Sequence, residues 1–266
     1  MKNSKGSIIA KKLLSDIGFD EITHLSMKLF VSGLGATLVE EKLHNSDGKI
    51  VRGKTKTLIK VNSQIPYESK KRFTIAHEVG HFLMHEKIEV HNENSNTLNW
   101  FVSTETQLKN GIQEWEANDF ASELLMPEQI FRNETLGKPF SPDLIKYLSE
   151  RFKTSITSTV FRCLQLDIHP LLVVFINNGT VKYWDKTSNW TYWIKDITKL
   201  TPPDDSVAME YINADYEFIY SGNEKAQLIS KSTWCNLNKY DKDTDFFEYC
   251  IPTKQYKTII SVIWEK

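Results

Sequence analysis

Phe73-Thr74-Ile75-Ala76-His77-Glu78-Val79-Gly80-His81-Phe82-Leu83-Met84-His85 decides how the rest of the chain is read. Ile75, Ala76, Val79, Phe82 and Leu83 recur at helical spacing, which predicts a buried helix over about Glu68 to Glu86, with Pro66 just before it. In such a helix His77 and His81 stand at i and i+4, on one face and one turn apart. Two imidazoles so placed reach one metal ion, and Glu78, beside the first, reaches a water on that ion. A zinc centre with an open position lowers the pKa of its water toward 7, and a carboxylate then accepts the proton. The apolar stripe by itself also fits an ordinary core helix, so a third ligand is needed to decide.

No H-x-x-G-x-x-H extension follows: Met84 and Lys87 stand where Gly and His would be needed, which argues against a metzincin-type site. The candidate lies in Glu114-Trp115-Glu116-Ala117-Asn118-Asp119-Phe120-Ala121-Ser122-Glu123-Leu124-Leu125-Met126-Pro127, a predicted helix stopped at the proline. Glu114 and Asn118 share a face there, a carboxylate ligand with a polar partner one turn on. Glu116 points elsewhere and is expected to be solvated. His85 falls one turn beyond His81. An open centre has no place for a fourth protein ligand, so His85 is expected to end the helix near free carbonyls. His91, in a polar stretch, has a weaker claim.

R-F-T-I-A-H-E-V-G-H-F-L-M-H followed by E-W-E-A-N-D-F-A-S-E-L-L-M-P resembles the ImmA/IrrE family of metallopeptidases, over roughly residues 5 to 165. The resemblance implies a gluzincin-like zinc site with His77, His81 and Glu114 as ligands and Glu78 as catalytic base. It implies an intracellular endopeptidase that cuts a helix-turn-helix repressor at one site, switching on mobile-element, phage-defence or stress genes. The rival reading is a regulator in which zinc is structural and the C-terminal part binds nucleic acid or a repressor. Arg72, Tyr147 and Arg162 are the candidates for stabilising an oxyanion.

The 266 residues carry a net charge of −1, 40% hydrophobic and 25% charged residues, so the overall balance favours neither nucleic acid nor membrane. Arg52, Lys54, Lys56, Lys60, Lys70, Lys71 and Arg72 form a local basic stretch, read first as a solvated strand face and second as a docking site for an acidic partner. The start shows no signal pattern, no stretch reaches transmembrane length, and Cys163, Cys235 and Cys250 are sparse, which together fit a reducing cytoplasm.

The expected fold class is α+β. A zincin-like domain of helices plus a small sheet occupies 1–168, and an α+β module, GAF-like in the manner of some family sensors, occupies 169–266. Helices are expected over 5–18 and 21–33, and strands over Ala36–Glu40, Lys49–Arg52 and Thr57–Asn62. The resemblance suggests 57–62 as the sheet edge that borders the cleft, where a peptide adds as a strand. Residues 91–110 read as a long polar loop whose apolar island (Leu98, Trp100, Phe101, Val102) either covers the cleft or caps the core. Two helices over about 141–166 form a helix-turn-helix-like pair. Its second helix has Arg162 as its one long cation, so packing is its expected role. Strands are expected at 171–176, 180–184, 216–220, 226–230 and 258–264. The tryptophans there read first as core, second as a platform for a small-molecule or nucleic-acid effector.

Overall fold

Two short helices and three short strands precede the histidine helix. The computed structural model describes residues 4–86 and 111–266, so the loop island at 98–102 and His91 lie outside the described residues. By their contacts these residues fall into two units. One holds the N-terminal part through Leu136 together with Tyr147–Arg162; the other holds Gly137–Lys146 and Cys163–Lys266.

In the first unit, α1 (Lys5–Asp16) starts at Ser4, whose side chain accepts the Ser7 N–H. Ala10 and Leu14, one turn apart, face the core. α2 (Met27–Gly33) is shorter than expected: Glu21 to Ser26 lie outside it, and Ser26 is its N-cap. β1 (Ala36–Glu41), β2 (Gly48–Arg52) and β3 (Thr57–Asn62) form a mixed sheet in the order β1-β3-β2. β3 pairs parallel with β1 and antiparallel with β2, so 57–62 is the central strand. The expectation that it forms the edge is therefore wrong. Both of its hydrogen-bonding sides are taken, and its alternate residues Ile59 and Val61 are fully buried. Gly48 is the first residue of β2, one of the two edges among the described residues.

α3 (Glu68–Met84) crosses behind the sheet, and α4 (Ile112–Leu125) packs against both α1 and α3. Glycines set how close. A Cβ on Gly6 would stand 2.0 Å from the Glu116 carbonyl oxygen, and one on Gly80 3.1 Å from the Phe120 ring. α4 thus lies backbone-near to its two neighbours, with Ala117, Phe120, Ala121 and Leu124 fully buried between them. α5 (Glu128–Thr135) follows Pro127. α6 (Pro142–Phe152) and α7 (Ile156–Gln165) form the predicted helix pair. Arg162 on α7 is buried in an ion pair with Glu123, the two side chains 1% and 2% exposed, and its Nε donates to the Met126 carbonyl. The one long cation of a would-be recognition helix is spent inside the fold, which leaves packing as the role of the pair.

The second unit is an antiparallel five-stranded sheet in the order β5-β4-β8-β7-β6. β4 (Leu172–Asn177) and β5 (Thr180–Lys186) are joined at Asn178 and Gly179, both with positive φ (49° and 69°), as a type I′ turn requires. β6 (Ala226–Ser230) and β8 (Thr258–Glu265) match their expected strands. The expected strand at 216–220 is absent. Asp215 and Tyr216 take left-handed φ, and the Tyr216 N–H bonds back to the Tyr211 carbonyl, closing α8 (Val207–Asn213). A one-turn helix, α9 (Lys231–Trp234), follows β6. β7 (Asp245–Thr253) was not foreseen. Trp190 and Trp234 sit in the core of this unit, as the plain reading of the tryptophans holds.

Glu248 is the polar centre of that core. It is fully buried, and its carboxylate accepts from the Val207 and Ala208 N–H groups, the Trp234 indole N–H and the Ser261 hydroxyl. Burial raises its pKa, with these donors opposing the rise. Glu248→Ala strands several buried donors at once and should destabilise the protein by about 3–5 kcal/mol, and Glu248→Gln by less. Urea unfolding followed by tryptophan fluorescence measures this; a loss in Glu248→Ala well below this range would mean that the buried donors do not depend on the carboxylate.

Candidate metal centre

α3 brings His77 and His81 face to edge, ring centroids 4.6 Å apart, with their Nε2 atoms 3.0 Å from each other. Glu114, from the first turn of α4, places Oε2 3.2 Å from His77 Nε2 and Oε1 3.2 Å from His81 Nε2. All three residues are well shielded, with 10%, 3% and 19% of their side chains exposed. Among the described residues these are the three His, Cys, Asp or Glu side chains whose ligand atoms gather within 4.8 Å.

The hydrogens of this cluster can be assigned. His77 Nδ1 lies 2.7 Å from Asn118 Oδ1, an acceptor, so Nδ1 carries the proton and Nε2 presents a lone pair. On the other side, His85 Nε2 lies 2.9 Å from Glu116 Oε2 and must donate to it. His85 Nδ1 then accepts from His81 Nδ1, 2.9 Å away, and His81 Nε2 is again a bare lone pair. Burial keeps the His81 pKa below its usual value, with Glu114 only partly offsetting it. Two imidazole lone pairs and a carboxylate therefore converge with no hydrogen of their own between them. Such a set repels itself unless a cation sits in its midst.

The spacing fits one. Ligands bound tetrahedrally at about 2.0–2.1 Å from a zinc ion lie about 3.3 Å apart, close to the 3.0–3.2 Å found here. Two nitrogens and one carboxylate suit zinc, and among the described residues no fourth such side chain joins them, the arrangement of a catalytic site.

Glu78 follows His77 on α3 and is 4% exposed. β2 reaches it at Gly48, where a Cβ would stand 2.7 Å from Glu78 Oε1 and 2.7 Å from Thr74 Cγ2. The other end of β2 is fastened to the same helix. The Arg52 guanidinium donates to the carbonyls of Phe82 (3.0 Å) and His85 (2.9 Å) and lies over the Phe82 ring. Sequence reasoning missed both contacts; only the absence of a side chain at Gly48 hinted at a close approach.

Two expectations about neighbours need correction. His85 does not simply cap carbonyls: its ring bridges His81 and Glu116. Glu116 is not solvated. Its side chain is 12% exposed and also takes the Lys5 ammonium at 2.9 Å. Of the basic stretch, Arg52, Lys60, Lys70, Lys71 and Arg72 all have partners within the unit. Arg72 donates to the Ile22 and Leu25 carbonyls, Arg162 pairs with Glu123, and the Tyr147 hydroxyl donates to Glu134. These bonds occupy all three oxyanion candidates elsewhere.

Residues 31–164, half of the chain, match the family described as the IrrE N-terminal-like domain, Peptidase M78. The chain belongs to that family. A solved structure of a Mycobacterium tuberculosis transcriptional regulator is similar in fold, with a TM-score of 0.55 at 12% identity, covering 98% of this chain and 87% of that one. No curated protein matches the chain. No helix among the described residues is long and apolar enough to cross a membrane.

Zinc that binds only the folded protein should stabilise it by about 2.7 kcal/mol when free metal stands at about 100 times its Kd. Urea unfolding with and without a chelator measures the effect, and Glu114→Ala should remove most of it. An unchanged zinc effect in that variant would place the metal elsewhere.

Proposed function

We propose that this protein is a zinc-dependent intracellular endopeptidase that cuts a partner protein at one site, and that the partner is a helix-turn-helix repressor whose loss turns on defence, mobile-element or stress genes. The observation that carries the reading is the convergence of His77, His81 and Glu114 lone pairs beside a buried Glu78. A structural zinc is normally closed by four protein ligands, and three converge among the described residues.

A zinc ion held by His77, His81 and Glu114 would supply Lewis-acid chemistry to a scissile carbonyl and a water. The chain's own residues do the rest. Glu78 takes a proton from the attacking water on a carboxylate oxygen and hands it to the departing amide nitrogen. Asn118 holds the His77 ring in the tautomer that points its lone pair inward. β2, an edge strand anchored beside Glu78, offers backbone groups to which an extended segment of substrate adds as a further strand. That docking mode suits a protein substrate cut at one place.

We assign residues 1–168 to the peptidase domain and 169–266 to a sensor or substrate-docking module. The separate core of the second unit, an antiparallel sheet carrying α8, supports an independent GAF-like module there.

The decisive experiment incubates the protein, with stoichiometric zinc, with any helix-turn-helix repressor found to be encoded beside its gene. Wild type should cut it once, and Glu78→Gln, still holding zinc, should be at least about 100-fold slower. Retained cleavage in Glu78→Gln would remove the proposed base, and tight repressor binding with no cleavage by wild type would favour the non-proteolytic regulator.

Gly48→Ala, which adds one methyl against the Glu78 carboxylate, should bind zinc normally and cleave on the order of tenfold to a hundredfold more slowly. Normal turnover in Gly48→Ala would show that Glu78 does not need its observed position.

A further inference from the structure

His77 and His81 are held from behind in different ways. His77 leans on Asn118 of α4 directly. His81 leans on a third histidine of its own helix end, and a chain of contacts runs on from there. His81 Nδ1 lies 2.9 Å from His85 Nδ1, His85 Nε2 lies 2.9 Å from Glu116 Oε2, and that same oxygen lies 2.9 Å from Lys5 Nζ. The chain links α3, α4 and α1, and it passes from a buried imidazole to an ammonium that is half exposed.

We infer that His85, locked by Glu116 and Lys5, is a positioning residue that fixes His81 as its Nδ1–H tautomer and so aims the His81 Nε2 lone pair at the metal centre. The inference rests on the proposed metal site, though not on peptide cleavage.

Glu116 is the one group along this run of contacts that can only accept. Its Oε2 lies 2.9 Å from two donors, His85 Nε2 and Lys5 Nζ. It takes its hydrogen from His85 Nε2, which leaves a lone pair at His85 Nδ1, and that lone pair takes the hydrogen of His81 Nδ1. The opposite tautomer of His81 would set two lone pairs against each other at 2.9 Å and drive an N–H into the ligand cluster. With His85 gone, the His81 Nδ1–H would be buried without its acceptor, in a side chain only 3% exposed. His85 is not a fourth ligand. One of its nitrogens faces the outer side of His81 and the other holds Glu116, and neither joins the gathered ligand atoms. Lys5 neutralises the carboxylate and ties it to α1, which keeps Glu116 from swinging out to water.

Two readouts test this without measuring cleavage. Zinc affinity, by competition with a chromophoric chelator, is compared in wild type, His85→Leu, His85→Asn and Glu116→Gln. The His81 tautomer is read from imidazole nitrogen NMR shifts of the metal-free protein. His85→Leu should weaken zinc binding by roughly 10–100-fold and mix the His81 tautomers. His85→Asn, which puts an acceptor oxygen where Nδ1 stands, should recover affinity to within a factor of about three and restore the Nδ1–H form. Glu116→Gln should fall between.

Unchanged affinity together with an unchanged tautomer in His85→Leu would overturn the inference. So would an Nε2–H His81 in the metal-free wild type, a measurement that needs no variant to fold. Wild type that binds no zinc would overturn both this inference and the peptidase reading. Zinc-binding wild type that cleaves nothing would count against the peptidase reading alone, leaving both readouts to decide the role of His85.

Discussion

The placement of His77, His81 and Glu114 depends on how closely α4 lies against α3. The two helices meet where Gly80 has no side chain and Phe120 fills the gap, and α1 meets α4 from another side at Gly6, against the Glu116 carbonyl. A single methyl at either glycine would have to displace ring or backbone atoms, and tightly packed interiors yield little. That approach is what lets short side chains do the work. Glu114 spans the cleft to both histidines, and Asn118, one turn along, reaches the back of His77. A wider gap would require longer, less rigid residues, and the donor geometry would loosen with them.

The electrostatics follow from that geometry. Buried lone pairs from two imidazoles and a carboxylate are costly to gather, and each is oriented by a hydrogen bond on its far side or by the helix that bears it. α4 supplies three such residues within two turns: Glu114 at the centre, Asn118 behind His77, and Glu116 behind His85. The surrounding fold holds these groups together. The outer partners matter as much as the ligands, since an imidazole turned to the wrong tautomer offers a hydrogen where a lone pair is needed.

Much of this was legible in the sequence, for reasons that are local. His77, Glu78 and His81 follow from helical spacing, and α3 ends two residues short of its expected limit. The three N-terminal strands were bounded by turn residues and β-branched runs, and their ranges differ by a residue at most. What failed was non-local. Strand order cannot be seen in spacing, so β3 was taken for an edge although both its sides are paired. Glu116 looked like a solvated acid because its partners, Lys5 and His85, lie 111 and 31 residues away in the chain. β7 was hidden by Glu248, an acid that breaks the apolar run, whose donors come from Val207, Ala208, Trp234 and Ser261. A buried carboxylate is readable only once its donors are in place.

The same distinction bears on how β2 serves the site. Its two ends are joined to one helix by different means. Gly48 rests against Glu78 by having no side chain, and Arg52 crosses to the carbonyls left open at the end of α3. Those carbonyls form the negative end of the helix, and a guanidinium there satisfies them and is favoured by the dipole. A strand fastened at both ends to the ligand-bearing helix cannot slip in register against it. A one-residue slip would turn every side chain of the strand to its opposite face. Any segment that pairs with the outer edge of β2 therefore inherits a fixed register relative to Glu78 and the two histidines. Backbone pairing of that kind is blind to side chains, so under the proposed peptidase reading selection among proteins would come from contacts farther along the bound partner.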